Sequence, residues 1–263
     1  MKVYFAGNRE NCGIGLLSSG VRYRLESFYD FRIRKAFDGV ETWNKFNHVI
    51  FDSGLFTLMF GNKKDEGITE KSITQWQKHY INFINNTPFK NASFVECDVQ
   101  KKIGVEMAWK LRRELKKKTN KGTIINVYHL EDENPDKLIK YSDYIAISIP
   151  ELRFNLSTKE RYKLTKYISR KAKRLNKKVH LLGCTETKYL KDFSYCDTCD
   201  STSWQQSFRY GNSKTKNYGQ VHIKTIRANN KEIETPQNKA LNDVYWASLF
   251  ALADYKQLAG NQK

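Results

Sequence analysis

The run Val49-Ile50-Phe51-Asp52-Ser53-Gly54-Leu55-Phe56 sets the fold. Three apolar residues end abruptly at a carboxylate, a hydroxyl and a glycine. This pattern predicts a buried strand whose C-terminal tip carries chemistry, with Gly54 permitting a sharp turn and close approach of a ligand. The pattern recurs along the chain. Apolar segments at 2–7, 48–51, 93–97, 123–128, 144–149, 179–182 and 195–200 read as strands. Five end on a polar residue, Asp52, Asp98, His129, Ser148 or Asp200, and 179–182 ends at Gly183.

Helical spacing fills the gaps. Ile73, Trp76, Tyr80 and Ile84 follow a start near Thr69; Val105, Ala108, Trp109, Arg112 and Leu115 follow Asp98. A short helix starts after Pro135. Ser157 and Glu160 form a capping box for another, and a short one surrounds Tyr189. Strands alternating with helices predict parallel β/α units. Six or seven such units, with no G-x-G-x-x-G after the first strand, favour a closed α/β barrel of the (β/α)8 TIM type in one domain, residues 1–263. Residues 8–47 resist assignment. Near the C-terminus, 219–226 and 232–234 suggest a hairpin, and a last helix is expected from about Pro236 with Leu241, Val244, Tyr245, Leu252 and Tyr255 on one face.

In such a barrel all strand C-termini open on one face, where the loops build the active site. Three carboxylates there, Asp52, Asp98 and Asp200, suit glycoside chemistry, one attacking an anomeric carbon and another moving protons. The competing reading is that Asp52 and Asp200, each followed by Ser, cap the next helix. His129 is equally compatible with a structural hydrogen bond, and Phe56 and Trp204 with core packing or with stacking on a base.

The net charge of +18 implies a polyanionic partner, nucleic acid foremost, although the lysine clusters 116–118 and 170–178 sit on helix ends and suit a solvated face as well. The five cysteines do not suggest a disulfide framework, and Cys196-x-x-Cys199 lacks the two further ligands of a zinc site. No metal and no cofactor are therefore expected. There is no apolar run long enough for a membrane span and no signal-like N-terminus, so a folded cytoplasmic protein is the expectation.

The ordered motifs resemble the tRNA-guanine transglycosylase superfamily, and most closely its short phage branch acting on DNA. The carriers are Asp52-Ser53-Gly54-Leu55-Phe56, Phe94-Val95-Glu96-Cys97-Asp98, Tyr144-Ile145-Ala146-Ile147-Ser148, Val179-His180-Leu181-Leu182-Gly183 and Asp200-Ser201-Thr202-Ser203-Trp204. The likeness runs from about residue 48 to 210. It implies exchange of guanine for a 7-deazaguanine derivative by double displacement. Asp200 would be the nucleophile, forming a covalent aspartyl-nucleotide, and Asp52 the general acid/base. Asp98 would read the guanine edge and Phe56 would stack on the base. Ser53, Gly54, His129, Ser148, Gly183 and Trp204 complete the implied substrate site, with His129 standing where many members have glutamine. The implied partners are DNA and a free base such as 7-cyano-7-deazaguanine, in the host cytoplasm if the chain is phage-encoded.

Members acting on tRNA carry a C-x-C-x-x-C…H zinc site after the nucleophile. No cysteine follows Asp200, so the zinc subdomain is expected to be missing. Ser148 and Ile149 replace a glycine pair, and Thr57 replaces a glutamine. These departures favour a DNA substrate. The alternatives are the same exchange on tRNA and a non-catalytic barrel that binds nucleic acid.

Overall fold

A computed structural model describes residues 1–7, 12–34, 39–55, 69–205, 212–215, 219–222 and 236–259. Eight parallel strands close into a barrel in chain order: β1 (Lys2–Ala6), β2 (Tyr23–Ser27), β3 (His48–Asp52), β4 (Ala92–Val95), β5 (Thr123–Tyr128), β6 (Tyr144–Ser148), β7 (Lys178–Leu182) and β8 (Thr198–Ser201). Closure is made by β1 against β8, where Val3 lies beside Cys199 and Tyr4 beside Asp200. The flanking helices are α1 (Cys12–Ser18), α2 (Val40–Trp43), α3 (Glu70–Asn85), α4 (Gln100–Lys118), α5 (Pro135–Tyr141), α6 (Ile149–Asn155), α7 (Thr158–Arg174) and α8 (Thr187–Asp192). This is the expected (β/α)8 architecture.

Alternation along each strand separates two apolar regions. Tyr4, Ala6, Tyr23, Leu25, Ile50, Val95, Ile125, Val127, Tyr144 and Ala146 fill the barrel interior. The opposite faces pack against the helices. Phe51 stacks on Trp43, Phe89 and Phe94 at 5.5, 5.0 and 5.8 Å between ring centres. Because Ile50 points inward, so does Asp52, two residues on.

The β2 strand was not legible in the sequence. Its Tyr-Arg-Leu-Glu-Ser pattern reads as apolar inside and charged outside, yet Arg24 and Glu26 are both buried beneath the helices. Arg24 donates to Glu26 at 2.9 Å and lies 4.3 Å over the Trp43 ring. Burial raises the Glu26 carboxyl to about 7 even though Arg24 opposes the shift. A second buried clamp ties β4 to α4. Arg112 Nε and Nη2 donate to the two oxygens of Glu96 at 2.8 and 2.6 Å. The same carboxylate accepts the Val127 N–H at 2.9 Å and Asn126 Nδ2 at 2.5 Å. Removing one partner of such a pair would strand a buried charge.

The capping boxes form as their residue types require. Thr69 and Ser72 exchange hydrogen bonds at the start of α3, as do Ser157 and Glu160 at the start of α7. The C-terminal hairpin differs from expectation. β9 (Asn212–Thr215) pairs antiparallel with β10 (Gly219–His222) across a three-residue connection. The strand at 219 thus takes its partner from the upstream side, while the expected 232–234 strand lies outside the described residues. The last helix, α9 (Pro236–Ala259), buries Val244, Leu252 and Tyr255 and packs on α1, where Ser248 and Ser19 hydroxyls meet at 2.6 Å. Among the described residues no helix is long and apolar enough to cross a membrane.

Candidate functional site

The C-terminal ends of β3, β4, β5 and β8 bring Asp52, Asp98, His129 and Asp200 to one mouth of the barrel. Phe56 lies outside the described residues, as does Thr57. The β3 end is held from behind by α3. Trp76 Nε1 donates to the Ser53 carbonyl at 3.0 Å, and the Tyr80 hydroxyl donates to the Phe51 carbonyl at 2.8 Å. Ser53 itself is fully buried, its hydroxyl facing the Leu55 N–H at 3.4 Å. It therefore supports the loop and does not line the mouth.

Gly54 is required by geometry. Its φ of +71° lies in the left-handed region, and an added Cβ would meet the Tyr29 backbone nitrogen at 2.5 Å. Its N–H donates to Asp52 Oδ1 at 2.6 Å. Gly54→Ala is therefore expected to destabilise the chain by about 3 kcal/mol, from backbone strain and steric overlap together. Urea denaturation measures this; an unchanged midpoint would contradict the described loop.

Burial raises the Asp52 carboxyl to about 7, with the charges of Asp98 and Asp200 adding to the shift and the Gly54 N–H opposing it. Asp52 thus holds or releases a proton near neutral pH. Asp200 is placed differently. Its Oδ1 accepts from His180 Nε2 at 3.0 Å and from the Gly183 N–H at 2.8 Å. Among the described residues its Oδ2 takes no hydrogen bond. The capping alternative fails for Asp200, because Ser201 Oγ accepts the Ser203 N–H at 3.0 Å in its place. For Asp52 that alternative holds in part, since one oxygen does take a local backbone N–H. Gly183 has φ +66° and a Cβ there would meet Pro150 at 2.7 Å, so this glycine serves Asp200 through its backbone.

His129 sits between two carboxylates, Asp98 Oδ2 at 3.3 Å from Nε2 and Glu151 Oε2 at 2.5 Å from Nδ1. Burial alone would lower its pKa, but Asp98 and Glu151 outweigh it and raise it to about 10. His129 is an imidazolium below that pH. His129, Glu131 and Glu151 each bring one possible ligand atom within 4.8 Å of the others, and His129 also links Asp98 to Glu151.

One expected residue takes another place. Trp204 is buried in the turn after β8, donates its Nε1 to the Ala6 carbonyl at 2.9 Å and packs on Phe5. Core packing, not base stacking, fits that position, because the side chain is only 4% exposed and its N–H is already used. Ser148 ends β6 at the N-terminus of α6 and makes no side-chain cap there.

Glu151 and His180 were not singled out by the sequence. Glu151 follows Pro150 in the first turn of α6, where an acid reads as dipole pairing. His180 lies within an apolar strand pattern, and only its period-two relation to Leu182 and Asp200's strand would have pointed inward.

The cysteines are free thiols packed in the core. Burial pushes Cys196 and Cys184 up to about 12 and raises Cys199 as well. The lysine clusters at 116–118 and 170–178 lie at the C-termini of α4 and α7 and the start of β7, hence on the face opposite the carboxylates. Several are paired: Lys171 with Asp136, Lys173 with Asp197 and Lys177 with Asp143. They do not rim the candidate site. A cavity of about 460 Å³ between Lys116, Asn126, Asp143 and Lys178 also opens on that opposite face.

Comparison with protein-family models gives no match, and comparison with curated proteins gives none either.

Proposed function

We propose that the chain is a DNA-guanine transglycosylase that exchanges a guanine in DNA for a 7-deazaguanine derivative. The observation that carries the reading is a pair of carboxylates in unlike environments at one barrel mouth. Asp52 is half-buried and proton-holding near pH 7; Asp200 is fixed by two N–H donors with its second oxygen unengaged among the described residues. The resemblance of the motifs supplies the substrate class.

In this reading Asp200 Oδ2 attacks C1′ of the target nucleotide. The C1′–N9 bond breaks and its electron pair leaves with guanine, which takes a proton from Asp52. The product is an aspartyl-nucleotide ester. The incoming deazaguanine loses its ring N–H proton to Asp52, attacks C1′ from the face that guanine left, and releases Asp200. Two inversions give net retention. Asp98 accepts hydrogen bonds from the base N1–H and 2-amino group, and the His129–Glu151 pair holds it in place. The nucleotide must leave its stack to reach C1′, which the net charge of +18 assists by attracting the phosphate backbone.

The test offers the protein duplex DNA, single-stranded DNA and tRNA with labelled guanine, and again with 7-cyano-7-deazaguanine. Incorporation into DNA and not tRNA is expected. Incorporation into tRNA alone would overturn the substrate assignment. Binding without incorporation under any condition would favour a non-catalytic barrel.

A further inference from the structure

Behind Asp200 runs a buried chain of side chains that ends on a tyrosine. The Tyr144 hydroxyl meets Thr198 Oγ1 at 2.5 Å, Thr198 Oγ1 meets His180 Nδ1 at 2.7 Å, and His180 Nε2 meets Asp200 Oδ1 at 3.0 Å. Tyr144, Thr198 and His180 are all buried inside the barrel. The rings of Tyr4 and Tyr144 stand edge-on to the imidazole at 6.4 and 6.5 Å, so it has no room to turn.

The direction of the hydrogen bonds follows from satisfying each donor. Burial raises the Tyr144 pKa, so it keeps its proton. Among the described residues its hydroxyl has one partner, Thr198. Were Thr198 the donor in that pair, the tyrosine proton would be buried with no acceptor. Tyr144 therefore donates to Thr198, and Thr198 gives its own proton to His180 Nδ1. A nitrogen that accepts carries no proton, which leaves the imidazole proton on Nε2, facing Asp200.

We infer that Tyr144 and Thr198 are positioning residues that lock His180 in the Nε2–H tautomer, so that it donates to Asp200 Oδ1 and leaves Oδ2 as the reacting atom. The role of Oδ2 rests on the transglycosylase reading; the tautomer lock does not. Reversing the chain would put the proton on Nδ1 and turn the Nε2 lone pair toward a carboxylate. The imidazole would then either repel Asp200 or, as an imidazolium, neutralise it.

The experiment is a long-range proton–nitrogen correlation spectrum of the whole ¹⁵N-labelled protein without substrate, with the His180 signals assigned by their loss in His180→Asn. A protonated Nε2 and an unprotonated Nδ1 are expected. A proton on Nδ1 in the unaltered protein would overturn the inference. In Tyr144→Phe, Thr198 is free to reverse, and protonation at Nδ1 is expected to appear, with the exchange kcat falling about tenfold and KM held. Thr198→Val removes the proton given to Nδ1 and is expected to let Nδ1 become protonated, while Thr198→Ser keeps the unaltered nitrogen pattern; an unchanged pattern in a folded Thr198→Val would overturn the lock, which covers the case in which Tyr144→Phe does not fold. An unchanged pattern in a folded Tyr144→Phe would overturn the role of Tyr144. If the nitrogens behave as expected but no nucleic acid is modified, the lock stands and the transglycosylase reading falls.

Discussion

Asp200→Asn is expected to reduce base exchange by about 10⁴-fold or more while leaving DNA binding within a few-fold. An amide cannot form the ester to C1′, yet it has the same shape and still accepts from the Gly183 N–H and His180 through its carbonyl oxygen. The fold should therefore survive, and the loss should fall on kcat. Rapid-quench kinetics with labelled base and a parallel binding isotherm separate the two. Near-normal exchange in the variant would show that another group attacks.

Asp52→Asn should act in two opposite directions. Exchange is expected to fall by about 10²–10³-fold, because the proton donor to the departing guanine is gone. The alkaline limb of the pH–rate profile near pH 7 should disappear with it. Stability should change with the other sign. A carboxyl raised to about 7 in the folded chain favours folding at low pH, and that contribution is lost as pH rises through 7. At pH 8 the ionised, half-buried Asp52 is a burden, so the amide variant should be more stable there by on the order of 2 kcal/mol and gain little at pH 4. Thermal melts at the two pH values measure the difference. Equal effects at both would mean that Asp52 is not held proton-bearing by its surroundings.

The two expectations share one cause, the cost of gathering carboxylates at one barrel mouth. Asp52 is pushed up by burial and by the charges of Asp98 and Asp200, and the nearby imidazolium of His129 is bound to Asp98 and Glu151. The barrel tolerates this because the mouth is braced from outside. Trp76 and Tyr80 hold the β3 end, and the Glu96–Arg112 clamp holds β4 against α4 and β5.

The sequence made the barrel legible wherever a strand was apolar on both faces, as in Val49–Phe51 and Tyr144–Ile147. It failed at Tyr23–Ser27, where a charged pair is buried under Trp43 and mimics a solvent-facing edge. Strand ends identified Asp52, His129 and Asp200, because period-two alternation carries their side chains inward, whereas Asp98 stands three residues beyond the last residue of β4, Val95, and reaches the mouth from the loop. The partners of these residues were less visible. Glu151 reaches His129 from the first turn of α6, one β/α unit further along the chain, and His180 acts through its neighbours in β8. Trp204 stays open between core and ligand in the sequence, because an aromatic after a polar motif looks the same whether it faces a ligand or closes the core.

The most direct measurement is mass spectrometry of the protein quenched with DNA in the absence of any acceptor base, followed by peptide mapping. A nucleotide ester on the peptide carrying Asp200, absent in Asp200→Asn and discharged by adding 7-cyano-7-deazaguanine, is the expected result. Exchange that proceeds with no adduct, or with an adduct on Asp52 or Asp98, would contradict the assignment of Asp200 as the attacking group.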